Sequence, residues 1–164
     1  MMNVQRVVLI IIVFMFLGAS GCKSSKKFIA SKHKAGFHDA FITCHQYGFK
    51  PAEILTEEEH KTVENLLKNE KGIGTGYGFW ISATNLDSKQ TYYWLNSGRK
   101  LFYTNFSSGQ PDNYKNNENC LHIFQISLGH FAWNDMPCNS HQRFLCQYNE
   151  EPCSTYEENK VSLL

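Results

Sequence analysis

Apolar residues recur at helical spacing in two segments of the chain. The first repeat predicts one face of a helix that ends near Gly48, with its apolar positions at Phe37, Ala40, Phe41, Cys44 and Tyr47. A second helix is predicted because Thr56 precedes Glu59 by three residues, which is the spacing of a capping box. The buried face of this second helix is predicted at Val63, Leu66 and Leu67.

After Gly78 the pattern changes to short runs of aromatic and β-branched residues, which are typical of strands. These runs cover residues 79–81, 92–95, 121–126, 131–133 and 144–146. Residues 96–118 lie between two of the runs and form a long polar stretch rich in Asn, Ser and Gly. Irregular segments of this length are uncommon inside compact domains and are often functional. Two helices followed by short strands predict an α+β domain.

Residues 1–21 have the organisation of a secretory signal peptide, because Arg6 precedes an apolar run at residues 7–17 and small residues follow. The run is shorter than the roughly 20 apolar residues that a membrane span needs. We therefore expect a secreted, extracellular protein whose mature form has no membrane span. An uncleaved short anchor is one alternative. A bacterial lipoprotein signal that ends before Cys22 is another, although that signal usually has Leu where Ala19 stands.

The segments on either side of the predicted domain are polar. Residues 22–34 contain five lysines, and we interpret them as a basic, solvated linker, with a polyanion-binding arm as the alternative. Residues 150–164 are interpreted as an acidic tail. The domain itself is therefore predicted to cover residues 35–149.

Composition narrows the class of protein further. The chain has 164 residues, which is enough for one domain of average size and too few for two. Hydrophobic residues make up 42% of the chain, so it can bury enough apolar surface to fold, and a disordered protein is excluded. The formal net charge is only +1, and a chain without a basic excess is not expected to bind nucleic acid.

Six cysteines are present, and their meaning depends on the compartment. Export routes are oxidising, so the thiols of a secreted chain form disulfides. The residues themselves do not choose among the many pairings that six cysteines allow. A structural zinc site is disfavoured because no Cys-x-x-Cys motif occurs and the histidines are scattered.

A set of polar residues in and after the long polar stretch offers oxygen ligands. It comprises Gln110, Asp112, Glu118, Asn134 and Asp135. Carboxylates and amides of this kind suit calcium, which takes roughly six to eight oxygens in a flexible shell. A cis bond before Pro111 would let the flanking side chains point the same way. Trp133 is interpreted as a core anchor for the Asn-Asp pair, with sugar contact as the alternative.

Several short motifs occur between residues 37 and 147, and their order is specific although each motif is weak alone. They are Phe79-Trp80-Ile81-Ser82, Trp94-Leu95-Asn96-Ser97-Gly98, Gln110-Pro111-Asp112, Glu118-Asn119-Cys120, Trp133-Asn134-Asp135 and Arg143-Phe144-Leu145-Cys146, with Cys44 and Cys138 at their own places in the series. This set resembles the C-type lectin domain, in the style of short secreted invertebrate lectins. The resemblance implies two helices with short antiparallel β-sheets and a long calcium-binding loop region.

The same resemblance implies two disulfides, Cys44–Cys146 and Cys120–Cys138. Cys22 and Cys153 are left over, and they either pair with each other or cross-link two chains. We therefore consider a disulfide-linked or a non-covalent homo-oligomer.

In the family, calcium at this site binds two adjacent hydroxyls of a sugar. Carried over by position, the calcium ligands are Gln110, Asp112, Glu118, Asn134 and Asp135, and the expected partners are glycans on cell surfaces or on glycoproteins. The Gln-Pro-Asp order is associated with galactose. Tyr114 occupies the place of an aromatic ring that stacks on that sugar, and packing within the loop is its alternative role. Asn113 and Asn119 stand where an auxiliary calcium site often has Asp, so we expect that second site to be weak or empty.

Asn105 lies in the chain's single Asn-x-Ser/Thr sequon and is a candidate glycosylation site.

Two other classes of function compete with sugar binding. A glycosidase that uses Asp112 and Glu118 is disfavoured, because acids interleaved with amides suit ion binding better than proton transfer, and we expect no enzyme activity. A calcium-independent protein-binding module is the stronger alternative, and EDTA would leave its binding unchanged.

Overall fold

A computed structural model describes residues 25–85 and 91–150 of the chain. Within these residues the strands are β1 (Ser25–Ala30), β2 (Lys50–Pro51), β3 (Gly78–Thr84), β4 (Tyr93–Trp94), β5 (Cys120–Ser127), β6 (His130–Met136) and β7 (Arg143–Glu150). The helices are α1 (Phe37–Gln46) and α2 (Glu57–Lys68), and a short 3₁₀ turn covers Tyr114–Asn116. The predicted α+β class is confirmed.

The strands form one mixed sheet in the order β1–β7–β3–β5–β6, with β2 beside β7 and β4 beside β3. Most neighbouring pairs are antiparallel, as expected. The exception is β3 with β7, which run parallel because residues 137–142 carry the chain back across the sheet instead of closing a tight hairpin. This crossover places β6 at one edge of the sheet and β1 at the other.

Both predicted helices are present. α1 ends before Gly48, whose φ of +77° is a left-handed conformation that glycine adopts readily. α2 begins after Thr56, whose hydroxyl accepts a hydrogen bond from the Glu59 amide at 3.2 Å. The Glu59 carboxylate accepts from the amide of Leu55 at 2.7 Å and does not reach the Thr56 amide, so half of the predicted capping box forms.

The main core lies between α2 and the sheet, and Trp133 is fully buried within it. The rings of Trp94, Tyr103 and Phe106 meet Trp133 edge to face at centroid distances of 5.9, 5.7 and 5.9 Å. Aromatic pairs in this geometry contribute stability beyond the apolar area that they bury. Trp133 is therefore the core anchor that its position in the sequence predicts.

The interpretation of residues 22–34 as a solvated linker is wrong for the part that the structure describes. Residues 25–30 form β1, which pairs antiparallel with β7 along its whole length. Residues 28–30 are buried, and the ammonium group of Lys26 lies 3.0 Å from the Glu59 carboxylate. The high lysine content of the segment concealed a short apolar run that completes the edge of the sheet.

Two disulfides join described residues, Cys44–Cys146 and Cys120–Cys138, and both pairs implied by the resemblance are confirmed. The first spans 102 residues and the second spans 18. In the chain-entropy model such loops correspond to roughly 4–5 and roughly 3 kcal/mol of stabilisation, respectively. The second disulfide fixes the start of β5 to the segment that follows β6.

Several sequence-based predictions fall outside the described residues. They concern the signal peptide at residues 1–21, Cys22, Cys153 and all but the first residue of the acidic tail. Among the residues that the structure does describe, no helix has the length and apolar character needed to cross a membrane.

Candidate metal-binding site

β6 supplies the two polar residues on which the site is built, of which Asp135 is buried and Asn134 is half-buried. Trp133 anchors this strand in the core, and Asn134 and Asp135 follow it immediately. Asp135 has 0% of its surface exposed, so its carboxylate depends on protein donors. Oδ1 of Asp135 accepts from the amide of Asp112 at 3.2 Å, and Oδ2 accepts from the amide of Asn113 at 2.9 Å. This carboxylate therefore attaches the Gln-Pro-Asp segment to the sheet.

Three carboxylates converge around this point. Ligand oxygens of Asp112, Glu118 and Asp135 all lie within 4.8 Å of one another, with Asp112 exposed, Glu118 half-buried and Asp135 buried. Burial, together with the neighbouring carboxylates of Asp135 and Asp112, raises the pKa of Glu118, although the hydrogen bond from the Tyr114 amide opposes the shift. Carboxylates crowded in this way repel one another until a cation or a proton balances their charge.

The two predicted amide ligands flank these acids in the chain. The Oδ1 atom of Asn134 is buried and has no hydrogen-bond partner among the described residues. A buried carbonyl oxygen without a donor is costly, and a hard cation would satisfy it. Gln110 precedes a cis bond to Pro111, and its Oε1 atom accepts from the Asp112 amide at 3.0 Å. The donor set therefore fits calcium, and the bond before Pro111 has the cis form that was considered from the sequence.

The turn between Asp112 and Glu118 depends on asparagine. Asn113 has a φ of +46°, a left-handed conformation that asparagine tolerates better than most residues. Its Oδ1 atom accepts from the amide of Glu118 at 3.1 Å, and the amide of Tyr114 donates to the Glu118 carboxylate at 3.2 Å. Sequence reasoning considered Asn113 only as a position of an auxiliary calcium site. The structure shows instead that its side chain closes the turn that presents Glu118.

Tyr114 projects from this turn with 60% of its surface exposed. The ammonium group of Lys115 lies over the ring at 5.2 Å from the centroid, which is a cation–π contact. A large aromatic ring this exposed beside the acidic cluster is available to a ligand. Its contact with a sugar stays a prediction, and the Lys115 contact belongs to the alternative role of packing within the loop.

Tyr92 is a contact to the site that sequence reasoning missed. Its hydroxyl donates to Oδ2 of Asp135 at 3.3 Å. Burial and the nearby Asp135 carboxylate raise the pKa of Tyr92 well above its usual value, so the hydroxyl remains a donor. The run at residues 92–95 predicted a strand, and nothing in that pattern indicates which tyrosine faces the carboxylate.

Asn105, the candidate glycosylation site, uses its amide nitrogen inside the fold. Nδ2 of Asn105 donates to the carbonyl of Phe131 at 3.2 Å and lies 2.8 Å from Nε2 of His60. Burial lowers the pKa of His60, so its neutral ring can accept this hydrogen bond. The sequon pattern alone did not predict that this asparagine joins the long polar stretch to α2 and β6.

Comparison with known proteins places this arrangement in a family. The model of the lectin C-type domain matches residues 33–148. A perlucin-like protein from Mytilus galloprovincialis is 32% identical over 111 residues, which cover 67% of this chain and 68% of that protein. Salivary C-type lectin 2 from Aedes albopictus is 29% identical over 129 residues, which cover 77% of this chain and 85% of that protein.

Solved structures agree with the sequence matches. The carbohydrate-recognition domain of the mouse scavenger receptor C-type lectin has 27% sequence identity and a TM-score of 0.63, and the match covers 77% of this chain and 92% of that domain. The chain belongs to the C-type lectin domain family. The family and the fold expected from the ordered motifs are thereby confirmed.

Proposed function

We propose that this protein binds carbohydrate through a calcium ion held by Gln110, Asp112, Glu118, Asn134 and Asp135. The observation that carries the proposal is the convergence of the Asp112, Glu118 and Asp135 carboxylates within 4.8 Å of one another. The unpartnered Oδ1 atom of Asn134 supports the same assignment. Extracellular calcium modules typically bind the ion at about 10⁻⁴–10⁻³ M, and we expect an affinity in this range.

The bound ion supplies a positive centre to which two adjacent sugar hydroxyls coordinate. Around it, the carboxylates of this chain accept hydrogen bonds from the hydroxyl protons, and the amides donate to the hydroxyl oxygens. The order of amide and acid at Gln110 and Asp112 fixes which hydroxyl meets a donor and which meets an acceptor. We propose that this order favours the 3- and 4-hydroxyls of galactose, with the apolar face of the sugar on Tyr114.

We further propose that the protein acts outside the cell, after removal of residues 1–21, and binds glycans on cell surfaces or glycoproteins without catalysis. The aligned part of the chain corresponds to 85% of a relative named a salivary C-type lectin, which supports this setting. The disulfides Cys44–Cys146 and Cys120–Cys138 suit an oxidising environment.

The first experiment is competition of immobilised-glycan binding by free galactose and by free mannose, with calcium and with EDTA. The proposal expects binding that needs calcium and that galactose inhibits more strongly. Binding that survives EDTA would indicate the calcium-independent protein-binding module. A clear preference for mannose would keep the calcium site but contradict the assignment of galactose.

A double variant, Gln110→Glu with Asp112→Asn, tests whether this pair selects the sugar. The exchange leaves the net charge unchanged, so calcium affinity should survive while preference shifts toward mannose. Unchanged preference would show that the shape of the following turn dominates.

Tyr114→Ala should weaken galactose binding by about 1–2 kcal/mol and leave calcium affinity unchanged, because the ring offers contact area and no metal ligand. Isothermal calorimetry measures both quantities.

A further inference from the structure

Tyr92 contacts the site from its buried side, where Asp135 lies in β6. Its residue surface is only 8% exposed, and its hydroxyl donates to Oδ2 of Asp135 at 3.3 Å. Among the described residues, it is the one side-chain donor that the structure gives to this buried carboxylate, since the other two donors are the backbone amides of Asp112 and Asn113. Removing a backbone amide requires proline, which also changes the backbone, so Tyr92 is the donor that a conservative substitution can test.

Counting hydrogen bonds on Asp135 indicates which oxygen is available to a cation. An ionised carboxylate has about four lone-pair sites, two on each oxygen. Oδ2 receives the Asn113 amide and the Tyr92 hydroxyl, whereas Oδ1 receives only the Asp112 amide. One site therefore remains, and it lies on Oδ1.

The Tyr92 ring is held in place by its surroundings. It packs against Phe106 with the ring centroids 6.1 Å apart, and Phe106 in turn meets Trp133. The Tyr92 carbonyl also accepts from the amide of Leu101 at 3.0 Å. These contacts fix the ring and the backbone of Tyr92. Its hydroxyl can therefore hold the Asp135 carboxylate in one orientation in the calcium-free protein.

We infer that Tyr92 is a positioning residue that occupies Oδ2 of Asp135 and thereby presents Oδ1 as a single-oxygen ligand. The inference rests on the proposed function, because it needs Asp135 to bind the cation. Without the hydroxyl, Oδ2 gains a free site and the carboxylate can rotate between orientations. Calcium must then also restore the productive orientation of the carboxylate, so it binds more weakly.

The test compares wild-type protein, Tyr92→Phe and the matched control Tyr103→Phe by calorimetric titration with calcium. Tyr103 packs against Trp133 and is half-buried, and its hydroxyl makes no hydrogen bond to the described residues, so this variant reports the loss of a tyrosine hydroxyl that does not contact Asp135. We expect Tyr92→Phe to weaken calcium binding by about ten-fold, in the range found for groups that orient metal ligands. The control should keep the wild-type affinity, and at saturating calcium both variants should keep the wild-type sugar preference.

Two further readouts separate positioning from general damage. Calcium should produce an ultraviolet difference spectrum in the tyrosine band for wild type and Tyr103→Phe, and this signal should be smaller in Tyr92→Phe, where only the contribution of Tyr114 remains at the site. Calcium-free stability, measured by urea unfolding, checks that the variant folds. Equal calcium affinity in Tyr92→Phe and wild type would overturn the inference, whereas a wild-type protein that takes up no calcium would overturn the proposed function itself.

Discussion

The two halves of the long irregular segment are attached to the domain by different forces. The inner half, residues 101–107, packs Tyr103 and Phe106 on the fully buried Trp133 and uses an uncharged amide, that of Asn105, to reach α2 and β6. The outer half, residues 110–118, is held by backbone amides that donate to the buried Asp135 carboxylate.

The contacts of the inner half stabilise the fold, whereas the outer half carries the candidate ligand groups. Apolar and neutral contacts hold the inner half whether or not an ion is present. The outer half gathers three like charges, which oppose one another until a cation joins them. The inner half therefore packs as part of the core, and we expect the order of the outer half to depend on whether a cation is bound.

The largest effect should come from breaking the anchor of the outer half. Asp135→Asn keeps the size of the side chain but removes the charge and one acceptor oxygen, so we expect loss of calcium uptake and of sugar binding. Asp39→Asn on the exposed surface of α1 makes the same change in net charge and should leave both unchanged. Calorimetry with calcium measures the difference, and normal calcium uptake in Asp135→Asn would refute the site.

Breaking the inner half should cost stability and spare the ligand. Asn105→Ala removes the amide that donates to the Phe131 carbonyl and lies 2.8 Å from Nε2 of His60. The same Nε2 lies 3.2 Å from that carbonyl and can donate to it in the other tautomer, so we expect a loss of about 1 kcal/mol in the free energy of unfolding. Calcium affinity should not change. Urea unfolding checks the first expectation, with Asn65→Ala on the exposed face of α2 as a control expected within roughly 0.5 kcal/mol of wild type. An equal loss in both variants would contradict the structural role of Asn105.

The same nitrogen of Asn105 is the atom that an N-glycan would occupy. A glycan replaces one of its two N–H groups, so the amide could no longer donate to the Phe131 carbonyl and to Nε2 of His60 at the same time. We therefore expect the folded protein to carry Asn105 unmodified. Intact-mass measurement before and after enzymatic deglycosylation decides this point.

The smallest effect concerns the charge of Glu118 in calcium-free protein. Its pKa is raised in the folded state, so ionisation of this group at neutral pH disfavours folding. The penalty is absent below the ordinary pKa of 4.5 and is complete once the pH exceeds the raised value. Glu118→Gln should therefore be slightly more stable than wild type at neutral pH and equally stable in acid.

Calcium reverses the sign of that comparison and serves as its control. With saturating calcium at neutral pH, wild type should be the more stable protein, because the glutamine variant lacks one ligand charge. Urea unfolding with calcium and with EDTA measures both cases. A variant that is less stable than wild type under EDTA would contradict the crowding of charge at this site.

Regular patterns and ordered motifs predicted most of the architecture. Helical spacing identified α1 and α2, and the motif order identified the family and both confirmed disulfides. β1 was missed because its lysines dominate the composition of the segment, while the pairing that orders it comes from β7, more than a hundred residues away. Periodicity within a short window carries no information about such a distant partner.

The site was predictable in its residue types and less so in its supports. The acids and amides follow from motifs that are contiguous in the chain. The Tyr92 hydroxyl and the Asn113 side chain act through hydrogen bonds whose geometry depends on the folded backbone. Asn105 was noticed for its sequon, which reports a modification signal and not the buried contact that the residue makes.

The pairing of β1 with β7 also determines how the domain can be attached to anything else. Ser25 and Glu150 face each other at the end of this ladder, so both ends of the described chain leave from one corner. β6, which carries Asn134 and Asp135, forms the opposite edge of the sheet. The first and the last described residues therefore lie on the side of the sheet opposite the candidate site. A ligand that approaches β6 therefore meets the domain at the edge opposite Ser25 and Glu150.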